Sequence, residues 1–186
     1  MDLALHPGGD IGKTVNTKSF QFKRLITSDL TTFKSLIEMF NTVFEEEQNT
    51  GSDAHLLKLL ENNGFIAIAA ISENEVVGGL TAYELPTIYS DASEVILYDM
   101  AVKAEYQRMG IGKELIQSLK EYCVINNIEM FFVMALEEDI HAVEFYRATG
   151  GKSEKVVNFL YTVLINTFTK SPAVAKRTCG SLSIAR

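Results

Sequence analysis

The chain has 186 residues, and its 47% hydrophobic and 22% charged residues are ordinary for one soluble globular domain. Residues 166–186 carry four basic side chains and no acid, and residues 1–19 are balanced. Because the net charge of the whole chain is −7, the body between these segments carries −11. A field of this sign repels nucleic acid and attracts cations, so we expect no nucleic-acid partner.

Composition also excludes several other classes of protein. No apolar run reaches the roughly 20 residues of a membrane-spanning helix, and no basic-then-apolar segment indicates secretion. Cys123 and Cys179 are the only cysteines, which excludes a disulfide framework and fits the reducing cytoplasm. His6, His55 and His141 are too scattered for the ligand spacing of a metal site, so we expect no metal.

Hydrophobic periodicity divides the chain into strands and helices, of which the helix of residues 30–44 has the clearest apolar face. The predicted elements in chain order are strand 20–26, helix 30–44, helix 54–61, strands 65–71, 75–85 and 94–102, helix 113–126, strand 129–135, helix 140–149 and strand 156–165. This order predicts one α/β domain at 20–165, with a mixed, mostly antiparallel sheet of six or seven strands flanked by about four helices. We expect a flexible leader at 1–19 and a basic, flexible tail at 166–186.

The most informative motif is Gln-Arg-Met-Gly-Ile-Gly at residues 107–112, between a predicted strand and a predicted helix. Two glycines let the backbone approach a ligand closely, and the helix directs its free N–H groups and positive dipole end to the same place. This combination predicts a phosphate site. Glu114 after Gly112-Lys113 excludes a nucleotide P-loop, and Leu115 stands where a dinucleotide fingerprint needs its third glycine.

After a valine-rich strand, this loop resembles the acetyl-CoA loop of the GCN5-related N-acetyltransferase (GNAT) superfamily, and the element order is similar over 20–165. The resemblance implies the GNAT acyl-CoA N-acyltransferase fold, acetyl-CoA as cofactor, and backbone amides that hold the diphosphate and the pantetheine arm. Asp139 and His141 occupy the region in which many relatives have an asparagine that contacts this arm. The cofactor-binding residues implied are Met100, Ala101, Val102, Gln107, Arg108, Met109, Gly110, Ile111, Gly112, Lys113 and Asp139.

Acetyl transfer to an amine requires one group that takes a proton from the amine and another that protonates the departing thiolate. The resemblance assigns the second role to Tyr146, four residues before Gly150; the alternative is a core tyrosine on the apolar face of the helix with its hydroxyl hydrogen-bonded. Asp99 is the charged residue of the apolar run 95–102, where a carboxylate must be paired, hydrogen-bonded or catalytic. It is a candidate for binding or deprotonating the amine, the alternative being a carboxylate bonded to backbone at a bulge. Glu84 is the second candidate base.

Further acidic residues flank the predicted acceptor side. A run at 45–47, with an aspartate at 53, lies between the first two helices, where the family covers its acceptor site, and a second group follows strand 129–135. Two acidic walls suit a substrate with several separated positive charges, whereas the alternative is a solvated surface that keeps the protein soluble. The candidate substrate-binding residues are Glu45, Glu46, Glu47, Asp53, Glu84, Asp99, Glu137 and Glu138.

Residues 65–70, 76–86, 93–102 and 142–146 carry a narrower resemblance, to the aminoglycoside 3-N-acetyltransferases of the gentamicin-resistance class. Tyr-Asp-Met-Ala-Val at 98–102 is its most specific part. The resemblance implies acetylation of the 3-amino group of deoxystreptamine, a polycationic substrate, a ternary complex without an acyl-enzyme, and a homodimer in the bacterial cytoplasm. An acetyltransferase for a polyamine or another small amine, and a CoA-binding module that has lost catalysis, are the alternatives.

Overall fold

The computed structural model describes residues 19–45 and 50–161. None of the helices in these two ranges combines the length and the hydropathy needed to cross a membrane. Short 3-10 turns lie at Thr27–Asp29 and Ala104–Tyr106. The main elements are β1 (Gln21–Arg24), α1 (Leu30–Val43), α2 (Asp53–Glu61), β2 (Phe65–Ser72), β3 (Glu75–Pro86), β4 (Ser93–Val102), α3 (Ile111–Ile125), β5 (Ile128–Val133) and α4 (Ile140–Ala148).

The five strands form one sheet in the order β1-β2-β3-β4-β5. Neighbouring strands are antiparallel except β4 and β5, which are parallel because α3 connects them. One apolar cluster joins the sheet to α3 and α4, and a second joins its other face to α1 and α2. The mixed, mostly antiparallel sheet with four flanking helices is therefore confirmed.

The predicted number of six or seven strands is wrong, since the sheet of the described residues has five. Residues 156–161, the described part of the predicted strand 156–165, are irregular and exposed, with Phe159 73% exposed. Residues with high β-propensity form a strand where their side chains can pack on a pleated, half-buried surface. The side chains of residues 156–161 are exposed and have no such surface to pack on. Residues 162–165, the tail 166–186 and residues 1–18 of the predicted leader lie outside the described residues.

A β-bulge interrupts the pairing of β3 with β4. Thr81 pairs with Asp99 and the next residue, Ala82, pairs with Leu97, so Tyr98 is the extra residue of β4. A bulge breaks the alternation of side chains between the two faces of a sheet. Tyr98 and Asp99, although consecutive, therefore both reach the face that carries α1 and α2.

Candidate active site

Strands β4 and β5 separate before β4 ends. Their last pair is Leu97 with Val133, whereas β4 continues to Val102 with β3 as its only neighbour among the described residues. Along an unpaired strand edge, alternate residues direct their N–H and C=O groups outward, where these groups can bond to an extended ligand. The open edge at 98–102 leads directly into the glycine loop.

The loop after β4 contains two residues in the left-handed backbone region. Arg108 has φ +62° and Gly110, the N-cap of α3, has φ +87°. Such turns direct successive N–H groups into a concave anion site, and the conformation costs about 1–2 kcal/mol for a residue such as arginine. The Gln107 side chain donates a hydrogen bond to the Val102 carbonyl at 3.1 Å and so holds the loop against the end of β4.

The first turn of α3 supplies the remaining amides. The first N–H bonded within the helix is that of Glu114, which donates to the Gly110 carbonyl at 3.1 Å. The N–H groups of Ile111, Gly112 and Lys113 precede it and have no acceptor in their own helix. With the positive end of the helix dipole, they fit a diphosphate group.

Glycine at position 112 allows α3 and α4 to pack closely. A Cβ atom added to Gly112 would lie 3.0 Å from Cε2 of Phe145 and 3.4 Å from Cε of Met100. The Phe145 ring is thereby held against the start of α3. It forms one wall of the space beside the loop.

A cavity of about 180 Å³ lies between the end of β4, the loop, α3 and α4. Nine of the eleven predicted cofactor residues line it; the other two, Met109 and Asp139, do not. Met109 is half exposed, and the Asp139 carboxylate caps α4 by accepting a hydrogen bond from the Ala142 N–H at 3.0 Å. The lining residues are Met100, Ala101, Val102, Tyr106, Gln107, Arg108, Gly110, Ile111, Gly112, Lys113 and Phe145.

The lining includes two aromatic residues that the sequence analysis did not select. Tyr106 lies in the 3-10 turn between β4 and the loop, and Phe145 precedes Tyr146 on α4. Both could have been predicted from their position in the sequence, since Tyr106 directly precedes Gln107 and Phe145 directly precedes Tyr146. Aromatic walls beside free amides give the cavity one apolar and one anion-binding part, which suits a thioester carrier with a diphosphate.

Tyr146 is half-buried on α4 and packs against the cluster on the α3 side of the sheet. Its ring centroid lies 5.3 Å from that of Phe145, which lines the cavity. Burial raises the pKa of Tyr146 well above its ordinary value of 10.0, and the Asp139 carboxylate raises it further. The phenol therefore keeps its proton at neutral pH, which is the state that a proton donor requires.

Asp99 lies on the opposite face, at the bulge. Its Oδ2 atom accepts a hydrogen bond from the Thr81 hydroxyl at 2.7 Å. The rings of Tyr83 and Tyr98 meet edge to face beside it, with centroids 5.6 Å apart. A half-buried carboxylate next to aromatic rings can bind an ammonium group through both charge and ring contacts.

Glu84 occupies a different place from Asp99. Side chains alternate along β3, so Glu84 lies on the α3 face while Thr81 and Tyr83 lie on the α1 face. Burial is the largest cause of the raised pKa of both Tyr122 and Cys123, and the Glu84 carboxylate raises both further. The sheet therefore separates the two predicted bases.

The other predicted acidic residues that the structure describes are exposed. Asp53, the first residue of α2, has its Oδ1 atom 2.9 Å from the Lys34 ammonium and so links α2 to α1. Glu45 follows α1 with φ +54°, and Glu137 and Glu138 lie in the turn before α4. Glu46 and Glu47 lie outside the described residues.

The Acetyltransferase (GNAT) family matches residues 33–150, more than half of the chain. The match includes the open edge of β4, the glycine loop and α4, which are the parts that form the cavity. The chain therefore belongs to the GNAT acetyltransferase family. It is an acetyltransferase, and its cofactor is acetyl-CoA.

Solved structures give the same assignment. An aminoglycoside acetyltransferase, meta-AAC0020, from an uncultured soil metagenomic sample in complex with sisomicin is 39% identical, with a TM-score of 0.75 over 78% of this chain and 97% of that one. HMB0005, an aminoglycoside acetyltransferase also from an uncultured soil metagenomic sample, is 33% identical, with a TM-score of 0.75 over 78% and 99%. AAC(6')-Iy with a bisubstrate analogue, CoA-S-monomethyl-acetylneamine, shares the fold at 14% identity, with a TM-score of 0.65 over 78% and 99%.

Proposed function

We propose that this acetyltransferase modifies aminoglycoside antibiotics such as gentamicin at the 3-amino group of the deoxystreptamine ring and so confers resistance. The observation that carries the proposal is the 39% identity, over 97% of its length, to an aminoglycoside acetyltransferase that was solved with sisomicin. The charge of −11 on the body of the chain supports it, because an acidic protein attracts a polycation.

Two side chains carry out the proton transfers in this proposal. When bound, acetyl-CoA supplies a thioester as the acetyl donor. Asp99 binds the substrate ammonium, which loses a first proton to solvent and so becomes a nucleophile. Asp99 then takes up a second proton from the nitrogen as the nitrogen forms its bond to the acetyl carbon. Tyr146 donates its phenolic proton to the sulfur as the carbon–sulfur bond breaks. The nitrogen thus loses two protons, one to solvent and one to Asp99, Tyr146 gives one to the sulfur, and the products are an amide and a free thiol. Transfer of a proton from Asp99 back to Tyr146 through solvent restores both side chains.

The remaining predicted acids have secondary places in the proposal. Glu45, Asp53 and the pair at 137–138 contribute negative charge to the acceptor side, and Glu84 is the alternative base.

We also propose a homodimer, on the resemblance to the 3-N-acetyltransferases. Light scattering during gel filtration measures the mass of the particle, and a mass of 20.7 kDa, that of one chain, would contradict the dimer.

The proposal predicts that Asp99→Asn lowers kcat/KM for gentamicin by about 100-fold, because a positioned base contributes about 10²–10⁴-fold. The KM for acetyl-CoA is expected to stay unchanged, since Asp99 is not among the residues that line the cofactor cavity. Thiol release from acetyl-CoA measures both constants. Glu121→Gln is the matched control, since it removes one exposed carboxylate from α3 and is expected to leave both constants as they are.

A panel of acceptors separates the proposed function from its alternatives. Fast turnover of gentamicin and sisomicin with poor turnover of spermidine supports it, and the reverse order assigns the protein to polyamines. Binding of CoA without thiol release from any amine indicates a module without catalysis. NMR of the acetylated gentamicin identifies the modified nitrogen, and a product acetylated elsewhere contradicts the 3-amino assignment.

A further inference from the structure

We propose that Thr81 is a positioning residue for Asp99, so that its hydroxyl fixes the carboxylate that receives the acceptor amine. This inference rests on the proposed function and deepens it by naming a residue that sets how the acceptor is bound. The Thr81 hydroxyl donates to Oδ2 of Asp99 at 2.7 Å. Hydrogen bonds of this length to a carboxylate are among the strong ones.

The burial of Thr81 makes its hydroxyl noteworthy. Thr81 is only 7% exposed, and its neighbours in β3, Leu80 and Ala82, are apolar core residues. A valine has almost the same shape and would fill this place without a polar group. A buried hydroxyl costs free energy unless it is hydrogen-bonded, and here the bond that satisfies it goes to Asp99.

The pairing of the strands fixes this contact. Thr81 and Asp99 are directly opposite in the β3–β4 register, so their side chains lie on the same face of the sheet. The bulge at Tyr98 sets this register. A β-branched side chain such as threonine has few rotamers, so its hydroxyl is a rigid donor. The edge-to-face rings of Tyr83 and Tyr98 support the same part of the sheet. With one oxygen held in this way, the carboxylate has a defined orientation before the amine arrives.

Thr81→Val tests the inference because it removes the hydroxyl and preserves the shape. We expect about a 10-fold fall in kcat/KM for gentamicin, as befits the loss of one hydrogen bond to a charged group. The KM for acetyl-CoA is expected to stay constant. Thr81→Ser is the matched control: it keeps the hydroxyl, so it is expected to retain kcat/KM within about 3-fold. The missing methyl group is expected to lower the free energy of unfolding slightly.

A double-mutant cycle with Asp99→Ala separates positioning from a general effect on the fold. If Thr81 acts through Asp99, Thr81→Val lowers residual turnover by less than about 2-fold in the Asp99→Ala background. An equal loss in both backgrounds, or a loss in Thr81→Ser as large as in Thr81→Val, overturns the inference. Normal turnover in Asp99→Ala overturns the proposed role of Asp99 itself. A large loss in Asp99→Ala with none in Thr81→Val overturns the role of Thr81 alone.

Discussion

Tyr146→Phe is expected to lower kcat by about 100-fold or more, the usual contribution of a positioned proton donor, with little change in the KM for acetyl-CoA. The substitution removes only the hydroxyl, and the phenylalanine ring keeps the contact with Phe145 that supports the cavity wall. Steady-state thiol release over a range of acetyl-CoA concentrations measures both constants. A fall in kcat alone identifies the hydroxyl as a group that acts during the reaction.

Tyr122→Phe is the matched control for this prediction. Tyr122 is also half-buried with a raised pKa, but it lies on α3, where its ring contacts the Arg24 guanidinium at 4.8 Å. The Tyr146 ring packs against Phe145, which lines the cavity. The Tyr122 ring instead lies against Arg24 of β1. The kcat of Tyr122→Phe is therefore expected to stay within about 2-fold of the unmodified protein. Equal losses in Tyr122→Phe and Tyr146→Phe, or none in either, would contradict the assignment.

The raised pKa of Tyr146 also has a consequence for the pH dependence of catalysis. A phenol whose pKa lies above its ordinary value stays protonated as the pH rises through the neutral and mildly alkaline range. Its ionisation is therefore not expected to reduce kcat between about pH 7 and 9. A kcat profile that falls in this range in the unmodified protein, but is flat in Tyr146→Phe, would show that the phenol titrates there.

The order of the elements from β1 to α4 could be predicted from the sequence, and the ends differ by at most two residues. The cofactor loop was the clearest case. Two glycines between a valine-rich strand and a periodic helix leave few other structures for residues 107–112. The nine lining residues predicted there are local in sequence, so no long-range contact was needed to find them.

The acceptor side could not be predicted in the same way, because tertiary contacts determine it. Nearly every residue of the run 95–102 is apolar, so hydrophobic periodicity does not show which side chains point to which face of the sheet. Only the pairing with β3 reveals the bulge that places Asp99 opposite Thr81. The face of Glu84 could have been found by counting alternation along β3 from Thr81. For residues 156–161 composition favoured a strand, but a strand also needs a neighbour, which a local pattern does not supply.

Gly112→Ala is expected to raise the KM for acetyl-CoA by about 10-fold while the protein stays folded. The added Cβ would lie 3.0 Å from Cε2 of Phe145, so the ring must move. Overpacking of this kind costs about 1–3 kcal/mol, and alanine near the start of a helix recovers at most roughly 1 kcal/mol relative to glycine, so the free energy of unfolding is expected to fall only slightly. The effect on the site is expected to be larger, because Phe145 lines the cavity and any movement of its ring changes the shape of the space for the cofactor.

Two further variants separate crowding in the site from a change in helix stability. Ser118→Ala also raises helix propensity on α3, but its side chain bonds the Glu114 carbonyl outside the cavity lining, so the KM is expected to stay constant. Phe145→Leu combined with Gly112→Ala gives the new methyl group room and is expected to recover part of the lost affinity, as measured by calorimetric titration with CoA. An unchanged KM for acetyl-CoA in Gly112→Ala would mean that Phe145 and the start of α3 do not contact the bound cofactor. The cavity between β4, α3 and α4 would then not be the acetyl-CoA site, although the chain would still belong to its family.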